Sequence, residues 1–540
     1  MSYEPNEDIR REDYGANATE QAATDIPQAQ SPYSKYDTLF AWLSVLMGFL
    51  LARALPVTQN TLGGTVMICL FFVFALSYVK LSGMKLTAKT VLFGAMIPLF
   101  SLGFLTGANR VIHRFLLLFI ICLLLYWTYT VFNLNGRKMF GEGFVRHALT
   151  AIFVTPIVSV IYIFPAFAVK DGEGRGGRIL RTAIRILIGL CCAVIPTAVI
   201  VLLLSYDKGF VSLIDKIFSF SFEDIIECMG DLFWGSIFAM FIFGVLFGSK
   251  RRNRQSNGEP DAVKQAPCHV IPRSAICATV TPILLVYIVF FISQWDYYVS
   301  AFTRVLPDEL TYAEYARSGF FQLCGVCAIN AVMLLLFNLL IKRTEKKHDI
   351  LRIVYSSLIS VFSLILAATA LSKMMLYIDC FGLTRKRVYA TWLILLLCVA
   401  FVVVLLVQFI KRLPTVPVLA VTFILFFALI SLPNVDAMIA SYNIDAYRSG
   451  RIDMVDVVSM QDYGASAVPS LMELKEGLEK KENPSDAEKA LLGRTNITLS
   501  SIKAQLEARP DNVFTFNFYV RRAKVLLEDI QASASDVSCA

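Results

Sequence analysis

Apolar residues in this chain come in long blocks, not in the alternation of a half-buried strand. About eleven blocks, near 36–53, 62–80, 88–107, 114–133, 180–205, 231–249, 274–294, 318–341, 351–375, 389–410 and 415–433, are separated by short polar loops. A bilayer core about 30 Å thick takes roughly 20 helical residues to cross at about 1.5 Å each. Helices satisfy their backbone hydrogen bonds internally, and these blocks are too long for barrel strands. The pattern predicts an all-α polytopic bundle of about eleven spans.

The separators alternate in charge. Lys80, Lys85 and Lys89, then Arg137, Lys138 and Arg146, then Lys250, Arg251, Arg252 and Arg254, then Lys342, Arg343, Lys346 and Lys347, and lastly Lys411 and Arg412 fall on one side. The intervening loops, Asp207 to Asp231 and Asp296 to Glu314, are acidic or mixed. Basic loops stay cytoplasmic. The pattern therefore predicts an N-terminus inside and a C-terminus outside. Arg385, Lys386 and Arg387 break it, because this topology puts them outside. Residues 147–168 are apolar but flanked by basic segments on both ends, and Pro156 and Pro165 interrupt them. A re-entrant or interface-lying segment keeps both flanks inside, whereas a twelfth span would shift everything after it.

Domain boundaries follow from these shifts. Residues 1–35 are polar and acidic and predict a disordered tail. An N-terminal transmembrane half occupies 36–249, a basic cytoplasmic linker 250–273, and a C-terminal transmembrane half 274–433. Residues 208–230 mix apolar and charged positions as an outer interfacial helix would. From Asn434 to Ala540 the chain is charged and helix-forming. Ser485 followed by Glu488 is a capping box, and Arg509–Pro510 is a stop. This predicts a small helical tail domain outside the membrane, with partial disorder as the competing reading.

Composition fits the membrane class. The 540 residues are 56% hydrophobic and 17% charged, with mean hydropathy +0.61, against roughly 25% charged in average soluble chains. The net charge of +8 sits mostly in short loops, which argues against nucleic acid. Most of the twelve cysteines lie inside spans, where Cys behaves as a small apolar residue. Cys324 and Cys327 have CxxC spacing but no nearby His, so no metal or cofactor is expected.

Three polar motifs converge on the predicted outer face. In the first, Glu314 and Arg317 can pair on one helix face beside Tyr315, although Tyr and Arg there also suit an interface anchor. Deeper in the same span, Gln322, Asn330 and Asn338 form a stripe of the kind that joins helices or lines a permeation path. The second motif runs from Leu371 to Tyr389. It contains Tyr377, Asp379, a turn at Gly382, an N-cap at Thr384, and the cations Arg385 and Arg387. A helix N-terminus with cations suits an anion. Lys373 either pairs with Asp379 or snorkels. The third motif, from Asn434 to Asn443, leaves the last span.

The phrases YARSGFFQL at 315–323, LSKMMLYIDCFGLTRKRVYATW at 371–392 and NVDAMIASYNI at 434–444 resemble those of an uncharacterised family of bacterial multipass membrane proteins. That family is catalogued as a domain of unknown function, 4173-like or the related 4153. The tail phrase Phe516 to Ala523 is similar more loosely. The resemblance implies a bacterial cytoplasmic (plasma) membrane protein of unknown activity, and supplies no catalytic residues. Three functions stay open. The leading one is a non-enzymatic envelope protein binding a lipid headgroup, an anionic ligand or, through its tail, a partner protein at the outer face. The others are a transporter or channel, and an enzyme acting on lipid-linked substrates.

Overall fold

The computed structural model describes residues 33–58, 61–107, 109–134, 140, 143–167, 200, 222–255, 273–293, 320–340, 350–410, 415–509 and 513–538. These residues are almost entirely helical, and no strand occurs among them. The helices with apolar stretches are α1 (Lys35–Thr58), α2 (Leu62–Leu81), α3 (Ala88–Thr106), α4 (Arg110–Val131), α5 (Phe144–Ala166), α6 (Phe222–Gln255), α7 (Arg273–Ser293), α8 (Phe320–Leu340), α9 (Ile350–Phe381), α10 (Arg385–Phe409) and α11 (Thr415–Ser431). Among the described residues eight helices are long and apolar enough to cross a membrane, or nine if α11 and the helix after it count as one bent span. The chain is thus a helical membrane bundle. Apart from residue 200, the block at 180–205 lies outside the described residues, as does most of 208–230.

The bundle has two distinguishable ends. At one, the start of α1 meets the ends of α2 and α6: the Tyr78 hydroxyl donates to Asp37 at 2.8 Å, and Lys250 Nζ to the same carboxylate at 2.5 Å. Asn253 reaches Met84, and the Trp127 indole donates to Thr90 carbonyl at 3.0 Å, which puts the end of α4 at this level too. Lys250 to Arg254 gather here, so this is the basic end. The helix α6 continues through 250–255, making Lys250 a buried partner where the charge pattern alone suggests a loop cation. Burying Asp37 is tolerable because Tyr78, Lys250 and Ser34 all donate to it.

At the opposite end, α3 and α4 turn beside the end of α11. Thr106 donates to Leu432 carbonyl at 2.6 Å, and Thr65 to Ser101 carbonyl at 2.8 Å. Helices α1 and α6 run antiparallel between the two ends, with Arg53 of α1 paired to Asp231 near the start of α6 at 3.1 Å. They touch at Gly48 and Gly235, where a Cβ on Gly235 would stand 2.8 Å from Phe49 Cα. Small residues let two backbones approach in this way inside a membrane, where lipid supplies no hydrophobic drive.

Helix α5 is irregular: five residues of π-helix at Thr150–Val154 and a 3₁₀ turn at Val160–Tyr162 interrupt it. Both its ends contact the basic end. Phe144 packs on Tyr126 of α4 with centroids 5.3 Å apart. At the other end Tyr33 donates to Tyr162 carbonyl at 3.2 Å and Thr38 to Ala166 carbonyl at 3.0 Å. Its middle passes against α6, where a Cβ on Gly244 would meet Ser159 carbonyl at 2.7 Å.

The chain beyond Pro433 forms α12 (Val435–Arg448), a 3₁₀ stretch Ser459–Ser466, α13 (Val468–Glu479), α14 (Asp486–Glu507), a 3₁₀ turn Val513–Thr515 and α15 (Phe518–Ser538). Ser485 accepts from the Glu488 N–H while Glu488 accepts from the Ser485 N–H, closing the capping box. Ile439, Leu471, Ile502, Ala523 and Leu527 give these helices a shared buried interior, continuous with that of the N-terminal half of the bundle. α15 begins at Phe518 because Asn517 caps it by accepting from Tyr519 and Val520 N–H. Phe514 and Phe516 precede it.

Candidate functional site

The second and third sequence motifs meet at the end of the bundle opposite the basic end. Helix α9 stops at Phe381. Gly382 follows with φ +71°, the left-handed conformation that reverses the chain. Thr384 then caps α10, its side chain accepting from the Arg387 N–H. Across from this turn lies α12, which leaves α11 at a 64° bend. Asn434 caps α12 by accepting from Ala437 N–H at 3.0 Å, and its amide donates to Ser466 at 3.0 Å.

Two clasps hold turn and helix together. Asn443 reads the backbone of Leu383 from both sides, accepting from its N–H at 2.6 Å and donating to its carbonyl at 2.9 Å. Arg385 forks onto Asp436, with Nε to Oδ1 at 2.7 Å and Nη2 to Oδ2 at 2.8 Å. Nη2 also donates to Asp462 carbonyl at 2.8 Å, and the guanidinium lies 4.8 Å from the Tyr463 ring centroid. Asp436 is only 1% exposed. Such a carboxylate needs charge-assisted partners, and the planar guanidinium supplies two parallel bonds. Burial raises the Tyr463 hydroxyl above its ordinary range even though Arg385 pulls it down.

The N-terminal half of the bundle joins the same network. Asn109, the N-cap of α4, donates to the Tyr389 hydroxyl at 2.5 Å and approaches Asp436 at 3.5 Å. His113, one turn on, is buried with its ring edge-on to Phe104 at 5.5 Å, and Gly107 leaves room for it. The cluster thus links α4, α10, α12 and the 3₁₀ stretch.

Of the sequence-derived site residues, Arg385, Asn434 and Asn443 come together here. Arg387 is turned back onto its own turn. It donates to the Phe381 carbonyl at 2.8 Å and to the Gly382 carbonyl, and it stacks on Tyr377 at 3.9 Å. Asp379 is exposed on α9, while Lys373 is fully buried on a different face of the helix. Glu314, Tyr315 and Arg317 lie outside the described residues. In the stripe, Asn330 is fully buried, bonded to Tyr287 at 2.6 Å and Ser363 at 2.9 Å. Gln322 is exposed instead, since eight residues turn a helix about 80° past full circles at 3.6 residues per turn. Helix α8 includes Asn338.

Sequence reasoning missed Asp436, Asn109, Tyr389 and Tyr463 as members of the cluster. A signal for Asp436 existed: three cations against the charge pattern demand an acid nearby, and Asp436 sits in the first turn of a helix. Nothing local marks Asn109, which is 327 residues away from it.

A helical bundle of this kind, with a helical unit fastened to one end by a buried ion pair, defines a multipass membrane protein. More narrowly, the chain matches the model of DUF4153, a domain of unknown function, over residues 94–474 and belongs to that family. The match runs from within α3 to within α13 and includes the whole Arg385–Asp436 cluster. No curated protein and no solved structure matches the chain.

Proposed function

We propose that this protein is a non-enzymatic envelope protein that carries its C-terminal helical unit at the outer face of a bacterial cytoplasmic membrane and binds a partner protein or an anionic envelope component there. The observation that carries this reading is the joint itself. Arg385 and Arg387, the cations an anion site at the α10 N-terminus would use, are engaged by Asp436 and by backbone carbonyls. Arg385 fixes the unit on the bundle while Arg387 braces its own turn, which leaves recognition to the unit's outer surface, where Met454 and Ile497 stand exposed. Orientation rests on Lys250 to Arg254 at the basic end, which the positive-inside rule assigns to the cytoplasm. Helix α5, touching that end at both of its termini, then lies along or dips into the cytoplasmic leaflet.

A photo-crosslinking residue at 454 or 497 in living cells should give discrete adducts that the same residue at 252 does not. Tail positions that yield no adduct would sink the proposal. In the same cells, a membrane-impermeant maleimide should label Cys380 and not Cys268.

A transporter is the second reading. The chain of hydrogen bonds from half-buried Tyr287 through buried Asn330 to Ser363 across α7, α8 and α9 favours it. Solute flux in proteoliposomes that disappears in Asn330→Leu would put this reading first.

A further inference from the structure

The turn before α15 sits where the spans leave the bilayer. The Leu62 N–H, at the very start of α2, donates to Phe516 carbonyl at 2.8 Å. The Asn517 amide donates to Gly107 carbonyl at 3.0 Å, just past α3. Residues 513–518 are thereby pinned at the depth at which two spans end, and the 3₁₀ turn also packs on the neighbouring end of α1.

Three large apolar side chains at this depth are mostly left uncovered by protein: Val513 is 73% exposed, Phe514 61% and Phe518 58%. A folded unit buries such side chains when it can, and this one does bury Ala523 and Leu527 from the same helix. The exposed ones lie at the level of the headgroup and acyl boundary, where aromatic rings are at home. The next turn of α15 presents Arg521 and Arg522, both exposed. Arg110 and Arg114, exposed at the start of α4, stand at the same end of the bundle. Between 509 and 524 the sequence has four cations, Arg509, Arg521, Arg522 and Lys524, against one acid, Asp511. The rest of the tail from Asn434 is richer in acids than bases. Positive charge is thus concentrated on the part of the tail that meets the membrane.

The geometry points to the segment from Val513 to Arg522 as a lipid-binding foot: Phe514 and Phe518 enter the acyl boundary while Arg521 and Arg522 hold the phosphates of anionic phospholipids. Apolar insertion and electrostatic attraction together are what bind an interfacial helix. This rests on the anionic-component part of the proposed function, which it narrows to phospholipid, and does not depend on partner-protein binding.

The test uses the full chain in nanodiscs, with p-benzoylphenylalanine replacing Phe514, Phe518 or, as a control, Ile497. In discs containing phosphatidylglycerol, positions 514 and 518 should crosslink to lipid and 497 should not. The yield at 518 should drop several-fold in discs of phosphatidylcholine alone, and likewise with Arg521→Ala and Arg522→Ala. Inorganic phosphate should not compete. Lipid yields at 514 and 518 no higher than at 497 would overturn the proposal. Equal yields with and without phosphatidylglycerol would overturn the headgroup assignment, and competition by phosphate would replace the membrane with a soluble anion.

Discussion

Arg385 and Asp436 form a two-pronged ion pair across 51 residues of sequence, with both bonds under 3 Å and the carboxylate sealed from solvent. In the proposed orientation, the pair occupies the one place where the loop charges break the cytoplasmic pattern. Arg385 is paired with a carboxylate, and the Arg387 guanidinium keeps its charge while donating to carbonyl oxygens.

Removing one partner of this pair leaves the other charge stranded. Asp436→Ala or Arg385→Ala should cost about 3–5 kcal/mol. The double variant should cost less than the sum of the two singles. Protease resistance of the tail in detergent-free discs measures this. Additive losses would mean that the two residues act separately.

Asn443→Ala should loosen the same joint by about 1–3 kcal/mol, because it leaves the Leu383 N–H and carbonyl unmatched. Asn443→Asp keeps the acceptor and should lose less. Gly382→Ala should be worse than an ordinary turn substitution. It meets a positive φ and also places a Cβ 2.5 Å from Asn443 Oδ1. Melting temperatures of the three variants in discs should follow that logic, and a Gly382→Ala protein as stable as the parent would contradict it.

Gly235→Ala should separate α1 from α6. The added carbon has backbone on the far side, not a flexible side chain, so the helices must move. A loss of about 1–3 kcal/mol is expected. Gly230→Ala on the same helix meets nothing within 4 Å and serves as the control. Equal melting temperatures for the two variants would remove the close-approach argument.

Glu488 is held well below the ordinary carboxylate range, at about 2, by the hydrogen bond from Lys481 and by its bonds to Ser485. Its folded value lies below the unfolded one. The stability it contributes is therefore present above the usual carboxylate range and lost as pH falls through about 2. The first turn of α14 should remain protected in amide exchange at pH 3, and Lys481→Met should raise the Glu488 midpoint. An unshifted midpoint would mean that the ion pair does not form in solution.

Fold class was legible because the signal is local. An apolar block reports its own span, Ser485 and Glu488 report their own cap, and Thr384 announces the start of α10. The lengths of α6 and α9 were less so. Polar and charged residues such as Lys250 or Asp379 end a hydropathy window while the helix continues. The candidate site was legible only by halves. Arg385, Asn434 and Asn443 stood out as polar residues beside spans, yet their partners Asp436, Ser466 and the Leu383 backbone are set by packing between separate segments. No window along the chain samples that. Gln322 and Asn330 are a different case, because an eight-residue step leaves them about 80° apart around α8 and so in different surroundings.

Only Leu432, Pro433 and Asn434 separate α11 from α12, and Asn434 already belongs to the cap of the second helix. The tail unit therefore has no slack leash. A pull on it passes through a stiff elbow straight into a span, with the Arg385 and Asn443 clasps acting as a brace against rotation.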